Sequence, residues 1–285
     1  MARHNIVFLR GFVSKFTIGQ SKEGEEFAMI HVSVARGERN VGDKKLHMKL
    51  DAPLVMTRNE AMVKEMKTWE ENDIVDIKGV ITAKAILKGS FCRSCGEKNT
   101  AEGALVYVNP IYCEKLMHLE TKDECQEYLS SHREISNISY TIGTLCRDPK
   151  LIRPKEGLTV AQYQIALNRK YRIQSDPPQI KSDYPWVKSY GENAISDMEH
   201  LHVGSHVFID GCLQARNVQR HKVCDKCGTT YEWMDKAMEI VPYETEYLAN
   251  FYSEEEIAER KERDRENAVK NVLSSLSGYG SDETE

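Results

Sequence analysis

Residues 73–96 read DIVDIKGVITAKAILKGSFCRSCG, and residues 205–228 read SHVFIDGCLQARNVQRHKVCDKCG. The two stretches align without a gap: Gly79 meets Gly211, Cys92 meets Cys224, Cys95 meets Cys227 and Gly96 meets Gly228. The same shift of 132 residues carries Asn5 onto Asn137, Gly11 onto Gly143, Pro110 onto Pro242 and Leu116 onto Leu248. One such coincidence means little, but an ordered series is the mark of an internal repeat. The chain reads as a duplicated domain.

Each copy carries the same string of predicted elements. IVFLRGFVSKF (6–16) and ISYTIGTLC (138–146) are strand-like runs interrupted by glycine, which predicts a bent first strand. FAMIHVSVARG (27–37) and VAQYQIALNRKY (160–171) alternate as a second strand, and LHMKLDA (46–52) and DYPWVKSY (183–190) read as a third. RNEAMVKEMKTWEEN (58–72) and GENAISDMEHLHVG (191–204) follow with apolar residues at helical spacing, in the second copy Ala194, Ile195, Met198 and Leu201. A fourth strand, the cysteine-bearing loop and a fifth strand complete each copy. Five strands with one helix between the third and fourth is the order of an OB-fold barrel.

The chain is therefore expected to be mainly β: a first barrel over residues 1–118, a polar and helical connector over 119–134, and a second barrel over 135–250. Residues 251–285 read as a charged helix and acidic tail, with Ser253 and Glu256 in a capping-box pattern and Glu256–Arg260 and Glu259–Arg263 as i,i+4 pairs.

Composition bounds the partners. The 285 residues are 40% apolar and 29% charged, as in a soluble globular protein, and the net charge is −5. Residues 253–285 hold ten acidic and five basic side chains, so they account for all of that charge and the body is neutral. No apolar run approaches the ~20 residues of a membrane span, and MARHNIVFLRG at the start lacks a signal-peptide pattern. The expectation is a cytoplasmic protein with no membrane partner. There the eight cysteines serve metal binding or packing rather than disulfides.

Four of those cysteines stand as Cys-x-x-Cys-Gly, one pair per copy. That spacing places two thiolates on one metal, and the glycine permits the tight turn of a zinc knuckle. Cys92, Cys95, Cys224 and Cys227 together make a complete structural Zn2+ site, if the two halves meet. Separate sites completed by His221 or Cys113, or redox pairs, are the alternatives. Cys113 corresponds to Thr245, however, which leaves no symmetric local scheme, and no thioredoxin-like setting surrounds either pair. Cys113, Cys125, Cys146 and Cys212 read as ordinary small side chains.

Single-stranded nucleic acid is held by bases stacked on rings and cations along the phosphates. In DYPWVKSY, the alternate positions Tyr184, Trp186, Lys188 and Tyr190 fall on one strand face. A lysine within the set predicts that this face is exposed. Arg169, Lys170, Tyr171 and Arg172 add basic and aromatic character at the end of the preceding strand. Arg216, Arg220, His221 and Lys222 lead toward the cysteine loop as a candidate phosphate track. The first copy offers His47 and Lys49 and no ring at the expected place, with Arg36, Arg39, Lys44 and Lys45 as cations. The second barrel is expected to supply most of the stacking.

NISYTIGTLCRDPKL (137–151), LTVAQYQIALNRK (158–170), DYPWVKSYGENA (183–194) and GSHVFIDGCLQAR (204–216) resemble, in order, the motifs of the bacterial and phage single-stranded DNA-binding protein family. The resemblance implies sequence-tolerant binding of single-stranded DNA in replication, recombination or repair, by a non-enzymatic OB-fold protein. An RNA-binding OB protein and a non-catalytic assembly subunit of a replication or transcription complex are the other classes. It also implies that the loop carrying Tyr231 and Trp233 contacts DNA, that the chain forms homo-oligomers, and that the acidic C-terminal region recruits replication or recombination proteins. The tail GSDETE lacks the apolar closing residues usual in that family. No phosphate-loop motif, no H-E-x-x-H and no carboxylate set for two-metal chemistry stands in the sequence.

Overall fold

The computed structural model describes residues 4–22, 24–37, 48–171, 173 and 182–277. Strand β1 (His4–Gln20) is long because it serves two neighbours in turn. Its first half pairs antiparallel with β5 (Asp73–Phe91) and its second half with β2 (Glu26–Ala35). The change of partner falls at Gly11, where a Cβ would lie 2.3 Å from the Ser33 carbonyl oxygen. No side chain fits there, so glycine permits the closure. β3 (Leu50–Asp51) extends the edge of β2. The ring then closes through β4 (Leu54–Thr57) on β2, β4 parallel to β6 (Lys98–His118), and β6 on β5. Helix α1 (Glu60–Met66) is capped by Asn59, whose side chain accepts the Met62 N–H at 3.2 Å, and it buries Val63 and Met66.

The second ring repeats this order. β7 (Asn137–Leu145) pairs with β9 (Leu158–Asn168), which pairs with β11 (Trp186–Tyr190). β11 runs parallel to β13 (Thr230–Ala249), and β12 (His206–Val223) returns to β7. β8 (Lys150–Lys155) and β10 (Ser182–Asp183) flank β9, and α4 (Gly191–His200) sits between β11 and β12. Register shifts fall at Lys78/Gly79 in the first ring and at Asp210/Gly211 in the second. A Cβ there would lie 2.7 Å from the Asn109 oxygen and 2.4 Å from the Val241 oxygen. The paired glycines of the sequence are thus bulge positions. This is the OB-fold order.

One expected element is displaced. The strand that closes the first ring is β4 at 54–57, not the run 46–52, of whose described residues (48–52) only Leu50 and Asp51 are strand. LHMKLDA alternates apolar and polar residues like a strand, but DAPLVMTR is the stretch that the 132-residue shift sets opposite DYPWVKSY.

The rings join through their first strands. β1 pairs antiparallel with β7 from His4–Ile142 to Leu9–Asn137, with Val7 opposite Ser139. Those two residues are themselves 132 apart, so an approximate two-fold axis passes through their pair. Other contacts obey the same axis. Asn5 exchanges two hydrogen bonds with the Ile81 backbone (2.9 and 2.8 Å), and Asn137 does so with Leu213 (2.8 and 3.0 Å). Asp51 of the first ring accepts the Ala215 N–H of the second at 3.0 Å, and Asp183 accepts the Ala83 N–H at 2.9 Å. Each aspartate also holds an arginine fork: Arg36 on Asp51, and Arg169 on Asp183.

The connector forms α2 (Lys122–Ser131) and α3 (Arg133–Ser136), with a Thr121–Glu124 capping box, and packs Cys125 and Leu129 against Phe12, Ala35 and Ile74. α5 (Glu254–Ser277) starts at the expected Ser253–Glu256 box, buries Ile257 and ties Lys261 to Glu199 at 2.7 Å. Its ion pairs differ from the expected ones: Arg260 lies 4.1 Å from the Tyr252 ring, and Arg265–Glu262 and Lys270–Glu266 are the pairs formed. No described helix is long and apolar enough to cross a membrane.

Asp183 is wholly buried beneath its arginine, so Asp183→Ala removes the buried carboxylate that binds both the Arg169 guanidinium and the Ala83 N–H. We expect a loss of about 3–5 kcal/mol in denaturant unfolding. A loss below about 1 kcal/mol, the scale of an exposed pair, would show that this fork does not tie the rings together.

Candidate nucleic-acid interface and cysteine cluster

β11 turns the predicted aromatic row outward. Val187 and Ser189 point into the ring and are fully buried, so Trp186, Lys188 and Tyr190 share the opposite face. Across the ladder they meet Gln164, Gln162 and Val160. Tyr184 precedes the strand and is 51% exposed, its carbonyl held by the Gln164 side-chain amide at 2.9 Å. Tyr190 is half-buried and donates its hydroxyl to Gln214 at 3.0 Å. The Arg147 guanidinium lies 5.3 Å from the centre of the half-exposed Trp186 ring. Arg147 comes from the RDPK turn, a stretch read only as part of a motif. Its place over the ring depends on the β7–β8 connection meeting β11, which no local pattern announces.

The predicted cations divide into three groups. Lys188 is on the expected face but only 9% exposed, because Glu239 pairs with it at 3.2 Å. Arg216 binds the same carboxylate with two nitrogens, at 2.8 and 2.9 Å. Burial alone would raise the Glu239 carboxyl, but the Arg216 hydrogen bonds and the Lys188 charge outweigh it and hold it below the usual range. The expectation that Lys188 is a free cation is thus corrected: lysine is buried here because an acid 51 residues away in sequence meets it.

Arg36 and Arg169 form the second group. Both are committed to the inter-ring aspartates rather than facing solvent, which removes them from a phosphate track. Further along the second hairpin, Arg220 approaches Asp235 at 3.5 Å, His221 meets Glu232 at 3.4 Å, and Lys222 donates to the Thr100 carbonyl at 2.6 Å. The third group is open. Lys49 and Lys170 are exposed, and Tyr171 beside Lys170 is half-buried; Lys150, which the sequence reading does not single out, is also exposed, on the strand opposite Gln162. Arg172 lies outside the described residues, as do Arg39, Lys44, Lys45 and His47. On the first ring Leu54 and Met56 hold the positions of Trp186 and Lys188.

The long hairpins β5–β6 and β12–β13 meet at their tips. Cys92 Sγ stands 3.7 Å from Cys227 Sγ, and Cys95 Sγ 3.6 Å from Cys224 Sγ, with all four sulfurs within 4.8 Å of one another. The two halves predicted from the repeat come together, one from each ring. Each knuckle has the same turn: Gly96 N–H donates to the Cys92 carbonyl and Gly228 N–H to that of Cys224, at 2.9 and 3.0 Å. Both glycines are left-handed, with φ of 71° and 69°. Backbone hydrogen bonds, that of Cys227 first, draw the Cys224 thiol down to about 6. Cys95 accepts a backbone bond from Glu97, yet desolvation and its sulfur neighbours push it up to about 12. Four sulfurs at this spacing carry full charge only around a cation.

The arms are also stitched by side chains that the repeat does not reveal. Asn99 donates to Cys224 Sγ at 3.6 Å and accepts the Asp225 N–H at 3.1 Å, and Lys88 pairs with Asp235 at 2.6 Å. Tyr231 was expected to face DNA. It is instead buried against Cys92 and Cys224, sharing a 2.7 Å hydrogen bond with Ser90, and Trp233 packs partly buried on the same cluster. The knuckle needs an apolar floor, and these rings provide it.

Residues 137–240 match the model of the single-strand binding protein family, so the family likeness lies in the second ring. No curated protein matches the sequence. Among solved structures, the wild-type single-stranded DNA binding protein from Thermus aquaticus aligns with a TM-score of 0.58 at 15% identity, over 89% of this chain and 97% of that one. A deletion mutant of the Thermus aquaticus protein aligns with a TM-score of 0.55 at 15% identity, over 90% and 100%. At this identity the likeness is one of fold, and it extends over both rings.

The Glu239 network has a pH signature. A carboxyl depressed in the folded state adds stability that is complete above its unfolded value of about 4.3 and is lost as pH falls through the depressed value. The stability difference between the parent and Glu239→Gln, from thermal melts, is therefore expected to shrink as pH falls below about 4.3 and through the depressed value. A difference independent of pH would remove the ion-pair account.

Proposed function

We propose that this chain binds single-stranded DNA with little sequence preference, through the second barrel, and acts where strands are exposed in replication, recombination or repair. One observation carries the reading: Tyr184, Trp186 and Tyr190 stand along one accessible face, with Arg147 over the indole. Bases stack on such rings for about 1–3 kcal/mol each, and every base has a π-face, so tolerance of sequence follows. Exposed Lys150, which lies across Gln162 from Lys188, and exposed Lys170, just beyond the end of β9, support the reading as cations for phosphates. The family match over the same ring supports this reading. The role is binding rather than catalysis. The first ring, with Leu54 and Met56 in place of the tryptophan and lysine, serves mainly as a structural partner.

The cysteine cluster fits a structural Zn2+ shared between the rings. Zn–S bonds of about 2.3 Å give a tetrahedron with edges of about 3.8 Å, close to the 3.6 and 3.7 Å sulfur separations. A disulfide would need sulfurs about 2.05 Å apart. Four thiolates form a closed set, so the metal holds the two hairpin tips together and leaves no open position for a catalytic water.

Anisotropy titration of a labelled oligothymidylate is expected to show Trp186→Ala binding about 5- to 150-fold more weakly than the parent, the loss of one stacked base. Equal affinity would remove the platform. A matched RNA oligomer, added as competitor, separates DNA from RNA preference. For the metal, the purified parent is expected to hold about one zinc per chain, and Cys92→Ser/Cys95→Ser to lose it and melt lower. A variant that kept a full equivalent would rule out the shared site.

A further inference from the structure

Lys188 lies on β11, Glu239 on β13 and Arg216 on β12, three strands that are neighbours in that order. Val187, Ile240 and Leu213, at adjacent register positions, point into the core, so the three charged residues share the outer face with Trp186 and Tyr190. They form a row across the sheet, cation–anion–cation, beside the rings.

The acid in the middle is not needed to build such a barrel. At the equivalent positions the first ring has Met56, Tyr107 and Lys84, with the Lys84 ammonium 5.9 Å from the Tyr107 ring centre. That ring closes through the same strands with no carboxylate in the row. On the second ring the carboxylate is held as a phosphate would be. Arg216 grips it with a two-nitrogen fork, a geometry that guanidinium offers equally to carboxylate and phosphate, and the Lys188 ammonium closes on the same group.

We propose that Glu239 is an internal phosphate mimic that withholds Lys188 and Arg216 from the bound strand. The inference rests on the DNA-binding reading above. Two cations beside the stacking rings are neutralised in part by the protein itself, so affinity and its dependence on salt are set below what the face is built to give. Glu239 is in this sense an autoinhibitory residue. Neutralising it hands both cations to the phosphate backbone, at a cost in stability.

The test is the salt dependence of oligothymidylate binding by the parent, Glu239→Gln, Lys188→Met/Glu239→Gln and Glu246→Gln. Each cation handed to a single strand steepens the slope of log K against log salt by about 0.7. Glu239→Gln is therefore expected to steepen the slope by up to about 1.4 and to bind roughly three- to tenfold more tightly at low salt. The double variant replaces the lysine by the residue found in the first ring, so no buried ammonium is left unpaired. It is expected to gain about 0.7, from Arg216 alone. Glu246→Gln removes an exposed acid on the same hairpin, outside the row and opposite Phe208, and is expected to leave the slope unchanged. An unchanged slope in both Glu239 variants overturns the proposal, as does an equal steepening in Glu246→Gln. A parent that does not bind the oligomer at all overturns the DNA-binding reading itself, whereas a binding parent with unmoved slopes overturns only the role of Glu239.

Discussion

The half of β1 that runs from His4 to Leu9 has β5 on one edge, and its other edge would be left with unpaired N–H and C=O groups. The first half of β7 is in the same position beside β12. Open edges of this kind invite uncontrolled pairing, and here each strand satisfies the other. The Val7–Ser139 ladder fixes the approximate two-fold axis, and the remaining contacts between the rings follow from it. Asp51 and Asp183 reach across because the axis sets each opposite the other ring's backbone, and the cysteine pairs meet because the axis brings the two long hairpins to one point. Without that pairing the two cysteine pairs would stand apart, with two sulfurs each.

The repeat was legible because glycine and cysteine admit few substitutes. Gly79 and Gly211 are held by carbonyl oxygens that leave no room for a Cβ, and the Cys-x-x-Cys-Gly turns need both the sulfurs and the left-handed glycines. Charged residues are read less well, because their role depends on what distant strands bring to them. Arg36, Arg169, Lys188 and Arg216 all looked like phosphate contacts, and each has met an acid supplied by the fold. Arg147, by contrast, carries no local binding signal in its turn and stands over the Trp186 ring. The misplaced third strand has a different origin. Local alternation in LHMKLDA outweighed the register that the repeat itself prescribed.

The two rings keep a common frame and differ on the surface. Buried polar ties such as Asn5 and Asn137 are retained in both, whereas Trp186, Lys188 and Glu239 of one correspond to Leu54, Met56 and Tyr107 of the other. Geometry is shared where both rings must close, and the residues diverge on the outer face, where closure makes no demand.

Because β1 and β7 lie on a single polypeptide, their pairing has an effective concentration that does not vary with the amount of protein present. Dilution that would separate a pair of independent chains leaves this pair assembled. The same covalent link keeps the two cysteine pairs in strict one-to-one stoichiometry.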